Sequence, residues 1–206
     1  MAFNQSVETW QGVLPATINA AGGSLADGSD GLRVILTNDG SFQIFYKGGN
    51  QVYGANASTT AIGIGNATVG SSYRSFNRTW DSLSQTAVTG AGSQADPFAV
   101  TTRLFDDIDN DNIYDVGVET QLDYTVSYVS GNPYLAQTFR ITAPTNNAQV
   151  FKLYQGMDTY LAGGDEGPAY GLNSAGTVIT GTSDTPVLIG TVKNLGQPTE
   201  SFLAYV

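Results

Sequence analysis

Apolar and polar residues alternate most regularly between positions 121 and 129. Leu122, Tyr124, Val126 and Tyr128 are separated there by single polar residues. A period of two places one set of side chains on a buried face and the other on a solvent-facing one. This segment therefore predicts a half-buried β-strand.

Similar short runs, separated by turn residues, predict further strands along most of the chain. They cover residues 32–37, 41–47, 51–55, 98–105, 134–142, 149–154, 177–180, 186–192 and 201–206. Asn38-Asp39-Gly40 and Gly48-Gly49-Asn50 separate the first three runs and supply the positive φ angles that tight hairpins need. Residues 56–96 are rich in Gly, Ser, Thr and Asn, and they predict short strands or long loops.

Many short strands with frequent turns are typical of a β-sandwich or a barrel. The composition agrees, because 25 Gly, 11 Tyr and only 13% charged residues favour strands and turns over helices. We predict one all-β domain over residues 1–206. It is an antiparallel β-sandwich of ten or more short strands, with long loops rich in Gly, Asn and Asp and with little helix.

The composition also excludes several classes of function. The chain has no Cys and no His, which removes disulfides, thiolate chemistry and His-based triads, and we predict that it is not an enzyme. Its eight Lys and Arg are scattered and its isoelectric point is about 4.1, so we expect no nucleic-acid partner. No apolar run approaches the 18 or so residues of a membrane span, so we expect no membrane insertion.

The acidity of the chain is concentrated in one segment. Five carboxylates lie within residues 106–115, and seven of the 18 Asp and Glu lie within residues 106–123. No Lys or Arg occurs between Arg103 and Arg140. Carboxylates this close repel each other by roughly 1 kcal/mol per pair even in water. We therefore expect a cation to bind there.

The spacing of these acids indicates calcium. Asp107, Asp109, Asp111 and Asp115 occupy relative positions 1, 3, 5 and 9, the pattern DxDxDxxxD, and Ile113 would supply a backbone carbonyl from position 7. Ca²⁺ takes roughly six to eight oxygen ligands, and the EF-hand loop provides them from these same positions. The alternative is a solvated acidic loop that binds nothing.

This segment resembles EF-hand-like, dockerin and thrombospondin type 3 loops, but it departs from them at two positions. Position 6 is Asn112 rather than Gly, which the turn tolerates because Asn adopts left-handed geometry. Position 12 is Val118 rather than a bidentate acid. Glu119, Asp106 or Asp123 must replace that ligand if the ion is held tightly.

A second candidate segment, residues 154–171, combines acids, Tyr and Gly. Asp158 and Asp165 are candidates for a second calcium site. Candidate ligand-binding residues, which offer acids for hydrogen bonds and flat rings for packing, are Asp158, Tyr160, Asp165, Glu166 and Tyr170. The alternative is a surface loop whose Gly residues form turns and whose Tyr residues cap the core.

Acidity, the absence of Cys, richness in Gly, Asn and Thr, and a DxDxDxxxD loop between strands together resemble the ligand-binding β-sandwich domains of RTX adhesins, large proteins of bacterial surfaces. The glycine-rich nonapeptide repeats of those adhesins are absent. The resemblance implies bound Ca²⁺ that stiffens loops, a peptide or glycan ligand on another cell surface, an extracellular location, and one module of a longer chain.

We therefore expect a calcium-dependent extracellular adhesion module. Two other classes stay open at this point. One is a purely structural spacer or filament subunit stiffened by calcium. The other is a polysaccharide-active enzyme with a carboxylate pair, for which Asp158 with Asp165 or Glu166 is the available choice.

Overall fold

The computed structural model describes residues 15–52, 58–71 and 76–157, together with the backbone of four strands farther along the chain. All regular secondary structure within these residues consists of β-strands. The described residues accordingly contain no helix long and apolar enough to cross a membrane. The prediction of an all-β fold is confirmed.

Sixteen strands lie within the described residues. In chain order they are β1 (Ala16–Ile18), β2 (Arg33–Leu36), β3 (Phe42–Tyr46), β4 (Gly49–Asn50), β5 (Ser58–Ile64), β6 (Ala67–Gly70), β7 (Arg78–Thr79), β8 (Asp81–Gln85), β9 (Phe98–Phe105), β10 (Gln121–Tyr128), β11 (Ala136–Thr142), β12 (Phe151–Met157), β13 (Ala169–Leu172), β14 (Val178–Ile179), β15 (Leu188–Val192) and β16 (Phe202–Tyr205).

These strands form four sheets of four strands each. Their orders are β1-β2-β3-β4, β12-β5-β6-β7, β11-β10-β9-β8 and β14-β13-β15-β16. The pair β6–β7 is parallel, and the other pairs are antiparallel. For the fourth sheet only the backbone is described.

The hairpin between β3 and β4 is tighter than the sequence predicted. Lys47 and Gly48 both have positive φ angles, of 49° and 71°, and Tyr46 pairs with Gly49. This is a two-residue connection with the twist that adjacent strands favour. The predicted turn extended through Asn50, and that was wrong, because Lys47 itself adopts the left-handed conformation and the chain turns one residue earlier.

The first three sheets share one hydrophobic core, which gives a β-sandwich-like arrangement. On β10 the alternation predicted from the sequence is present, with each even-numbered residue at most 1% exposed. The buried members of this core are Ile18, Leu32, Val34, Leu36, Phe42, Ile44, Val52, Ile62, Val69, Trp80, Val100, Leu104, Leu122, Tyr124, Val126 and Tyr128. The core therefore draws side chains from all three sheets.

Strand β5 is buried on both faces, which explains why the sequence did not reveal it. Six of its seven residues are buried, including Ser58 and Thr60. The Ser58 hydroxyl accepts a hydrogen bond from the Phe42 amide at 2.6 Å and donates one to the Phe42 carbonyl at 2.9 Å. Because buried hydroxyls with partners are tolerated, this strand carries polar residues inside and shows no period of two.

Candidate metal centre

The acidic segment forms the connection between two neighbouring strands. Phe105, the last residue of β9, pairs with Gln121, the first residue of β10. The Asp106 amide donates to the Thr120 carbonyl at 2.9 Å and closes the neck of the connection. Residues 106–120 therefore form one long hairpin loop at this end of the sheet, which we call the acidic loop.

Asp106 anchors the acidic loop to another sheet. Its side chain is only 2% exposed, and its two oxygens accept hydrogen bonds from Arg78, from Nε at 2.5 Å and from Nη2 at 2.6 Å. Donation of these hydrogen bonds to Asp106 raises the pKa of the Arg78 guanidinium. Arg78 pairs with both oxygens, and Asp106 lies outside the group of Asp107, Asp109 and Glu119 that could share an ion. Asp106 is therefore an anchor and not the replacement for the missing twelfth ligand.

Asp107 organises the first half of the acidic loop. It is 5% exposed, and its Oδ1 accepts from the Asn110 amide at 2.7 Å and from the Asp111 amide at 3.3 Å. Its Oδ2 accepts from the Asn112 amide at 2.8 Å. Asn110 and Asn112 both have φ of 61°, which confirms the left-handed geometry predicted at Asn112 and lets the backbone wrap around one carboxylate.

Glu119 closes the second half. It is 1% exposed, its Oε1 accepts from the Ile108 amide at 2.8 Å, and its Oε2 accepts from the Asp115 amide at 3.0 Å. Neither Glu119 nor Asp107 has a cationic partner among the described residues; nearby, Arg78 pairs with Asp106, and both Arg103 and Arg140 pair with Asp123. The two buried carboxylates thus accept hydrogen bonds from backbone N–H groups and have no cationic side chain beside them within the described residues.

Asp107, Asp109 and Glu119 form a group that could hold a metal ion. Each offers one carboxylate oxygen, and these oxygens lie within 4.8 Å of one another. Asp109 is the exposed member of the group, and the other two are buried. A carboxylate oxygen has two lone pairs, so one that accepts an N–H can also face a cation. An all-oxygen set suits hard divalent ions such as Ca²⁺, Mg²⁺ or Mn²⁺.

The electrostatic field around the loop is negative. Burial is the largest cause that raises the pKa of Asp81, at the start of β8, and the charges of Asp107, Glu119 and Asp106 raise it further. Desolvation and the neighbouring charge of Asp111 likewise raise the pKa of Asp109. The ordinary response to such a field is proton uptake or cation binding.

The structure brings together only some of the predicted ligands. Asp111 lies outside the group of three, and its Oδ1 accepts from the Ile113 amide at 2.8 Å. Ile113 is 62% exposed. Asp115, also exposed and outside the group, uses its carbonyl to accept from the amides of Val118 and Glu119, both at 3.0 Å. The roles of Asp111, Ile113 and Asp115 as ligands stay predictions.

Asp123 points to a different part of the molecule. It accepts from Arg103 Nε at 2.8 Å and from Gln121 Nε2 at 2.7 Å. These partners lie on β9 and β10, so Asp123 is engaged on the sheet face. Of the three acids considered for the missing ligand, Glu119 is therefore the one that joins Asp107.

The second candidate segment lies almost entirely outside the described residues. This applies to Asp158, Tyr160, Asp165 and Glu166, while Tyr170 lies on β13, where only the backbone is described. The predicted second calcium site and ligand site stay predictions. Sequence reasoning also missed two residues beside the acidic loop, Arg78 and Asp81, which come from the weakly patterned region before β9 and carry no local signal.

A scan against protein-family models and searches of curated proteins and solved structures found no significant match. The class that the fold and site define is therefore a β-sandwich-like protein with a candidate metal centre in the loop between two adjacent strands. The similarity to RTX adhesin domains stays a resemblance of composition and of one loop.

Proposed function

We propose that this chain is a calcium-dependent extracellular adhesion module whose acidic loop binds Ca²⁺ through Asp107, Asp109 and Glu119. The observation that carries the proposal is the meeting of two buried carboxylates and one exposed carboxylate within 4.8 Å. No cationic side chain within the described residues pairs with the two buried ones. A divalent ion would replace their mutual repulsion with attraction.

The size of that repulsion supports a bound cation. At 4.8 Å, the upper limit for the separation of these oxygens, two unit charges repel by about 0.9 kcal/mol in water and by about 3.5 kcal/mol at the effective dielectric of a partly buried site. Removing Asp107 and Glu119 from water adds a desolvation penalty. Their backbone N–H donors offset part of this but add no full positive charge.

Calcium is proposed over magnesium because the spacing DxDxDxxxD resembles calcium loops and because the exposed Asp109 leaves the site accessible to water. Mg²⁺ demands near-octahedral geometry and keeps its waters, whereas Ca²⁺ accepts variable numbers of oxygens at about 2.3–2.6 Å. Asp109 leaves the site open on its exposed side, where water or the Ile113 carbonyl would complete the shell. A partly open site fits the weaker dissociation constants, about 0.1–1 mM, of extracellular calcium modules.

The adhesive part of the proposal is supported by the sequence alone. Its support is the composition shared with RTX adhesin domains and the segment 154–171 with interleaved Tyr and acids. In this hypothesis a peptide or glycan on another cell binds there. Its recognition residues are Asp158, Tyr160, Asp165, Glu166 and Tyr170, with Asp158 and Asp165 available for a second Ca²⁺.

Titration calorimetry with CaCl₂ tests the metal site. Wild type should release or absorb heat with one ion per acidic loop, and Asp109→Ala should weaken this binding with little change in the fold, because Asp109 is exposed. Asp96→Asn, which removes one charge from an exposed turn, is the matched control and should bind like wild type. No binding by wild type would overturn the proposal.

Peptide and glycan arrays, run in calcium and in EDTA, test adhesion separately. Binding in calcium alone would support an adhesion module. Calcium binding without any array ligand would instead favour a structural spacer.

A further inference from the structure

Arg78 connects the acidic loop to the sheet β12-β5-β6-β7. It lies on β7, which pairs with β6, and its guanidinium binds both oxygens of the buried Asp106. Asp106 is the first residue of the loop and directly precedes Asp107. The link thus reaches from one sheet to the residue next to the candidate metal ligands.

The segment that presents Arg78 is itself held firmly. Just before it, Asn77 Oδ1 accepts from the Thr68 amide at 2.8 Å and from the Thr68 hydroxyl at 2.9 Å. Two residues after it, Trp80 is 3% exposed, and its ring N–H donates to the Thr60 carbonyl at 2.8 Å. Arg78 therefore offers a fixed fork rather than a mobile surface cation.

We propose that Arg78 is a positioning residue for the acidic loop. It fixes Asp106, and thereby Asp107, in place, and it couples ion binding to the stability of the sheet that contains β6 and β7. This inference rests on the proposed calcium site. It also explains why an Arg stands here, because a planar fork holds a carboxylate through two parallel bonds that Lys does not form.

Positioning and simple electrostatics predict opposite outcomes, which makes the inference testable. A positive charge near the loop opposes the binding of a cation, so its removal alone would tighten calcium binding. If the fork orients the ligands, its removal would weaken binding, as loss of the groups that orient metal ligands typically does by about 10- to 100-fold.

The experiment compares calcium dissociation constants of wild type, Arg78→Lys and Arg78→Met by calorimetry, with folding checked by near-UV circular dichroism in EDTA. Arg103→Lys is the matched control, since Arg103 makes an ion pair with Asp123 on the exposed sheet face. We expect about 10- to 100-fold weaker binding in both Arg78 variants and less than about a twofold change in the control. Wild-type affinity in Arg78→Lys, or tighter binding in Arg78→Met, would overturn the inference.

If the Arg78 variants do not fold, hydrogen exchange of wild type with and without calcium tests the inference instead. Calcium should slow hydrogen exchange of the Trp80 amide, which donates to the Gly70 carbonyl, more than that of amides in β2 and β3. Equal effects would overturn the inference. If wild type binds no calcium at all, the proposed function itself fails, and that result is distinct from a wild type that binds while its Arg78 variants behave normally.

Discussion

Glu119→Gln is the sharpest perturbation of the candidate site, because it keeps the shape of the side chain and removes its charge. In wild type, both Glu119 oxygens accept backbone hydrogen bonds, from Ile108 and Asp115. A Gln amide retains one acceptor and turns a donor toward the other N–H. The variant therefore gains one unfavourable contact between two N–H donors and loses the charge repulsion between Glu119 and Asp107.

The two effects on the metal-free protein are of similar size. The Glu119 oxygen lies within 4.8 Å of the Asp107 oxygen, and relief of the repulsion at that limit contributes between about 0.9 and about 3.5 kcal/mol, according to the effective dielectric constant. A buried donor left without its acceptor costs about 1–3 kcal/mol. In EDTA we therefore expect the free energy of unfolding to change by less than about 3 kcal/mol in either direction.

Calcium should stabilise wild type more than it stabilises Glu119→Gln. At a concentration 100-fold above the dissociation constant, an ion stabilises the fold by about 2.7 kcal/mol, which raises Tm by roughly 5–11 °C for a chain of this length. If Glu119 is a ligand and its loss weakens binding about 100-fold, the variant keeps only about 0.4 kcal/mol, or roughly 1–2 °C.

Thermal unfolding in calcium and in EDTA measures these shifts. The control is again Asp96→Asn, which precedes β9, whereas the acidic loop follows it, and about eight strand residues place the two roughly 26 Å apart. The control should show the full shift. A full shift in Glu119→Gln would refute the assignment of Glu119 as a ligand.

Three further predictions follow from particular contacts. Burial and nearby acids raise the pKa of Asp81 in the fold, so ionisation of Asp81 destabilises the fold as pH rises above its ordinary pKa of 3.8. In EDTA, Asp81→Asn should therefore unfold at a higher denaturant concentration than wild type at pH 7 and at a similar concentration at pH 3. Lower stability of Asp81→Asn at pH 7 would contradict this. Asn112→Gly should bind calcium like wild type, whereas Asn112→Val should be destabilised by about 1–2 kcal/mol, since φ is 61° there; equal stability of the two variants in urea would argue against it. Tyr128→Phe should lower the free energy of unfolding by about 1–3 kcal/mol, because the Leu32 amide would lose its buried acceptor; an unchanged urea midpoint would show that water replaces the hydroxyl.

The strands that could be predicted from the sequence are those with one face more buried than the other. β9 was predicted with its observed bounds, Phe98–Phe105, and β10 with its alternation. The period of two fails for β5, because Ser and Thr on that strand are buried against backbone partners such as Phe42 and Gly40. Strands buried on both faces do not alternate, so the sequence of β5 gave no clear prediction of a strand.

The acidic loop was predictable in its composition but not in its geometry. Spacing placed Asp107 and Asp109 in one ligand set, and the structure joins them to Glu119, which was one of three alternatives for the missing ligand. Choosing among those alternatives requires the positions of Arg78 and Arg103, since these two cations bind Asp106 and Asp123. Such pairings across strands depend on tertiary contacts and leave no local pattern.

The hydrogen bonds within the loop bear on how it would bind an ion. Asp107 and Glu119 together accept five backbone N–H bonds, and we expect these bonds to shape the loop without a metal ion. A preorganised site loses little conformational freedom on binding. Most of the free energy of calcium binding then stabilises the fold. Calcium should therefore raise Tm while changing the far-UV circular dichroism little, and a large gain of ordered structure on calcium addition would show that the loop is not preformed.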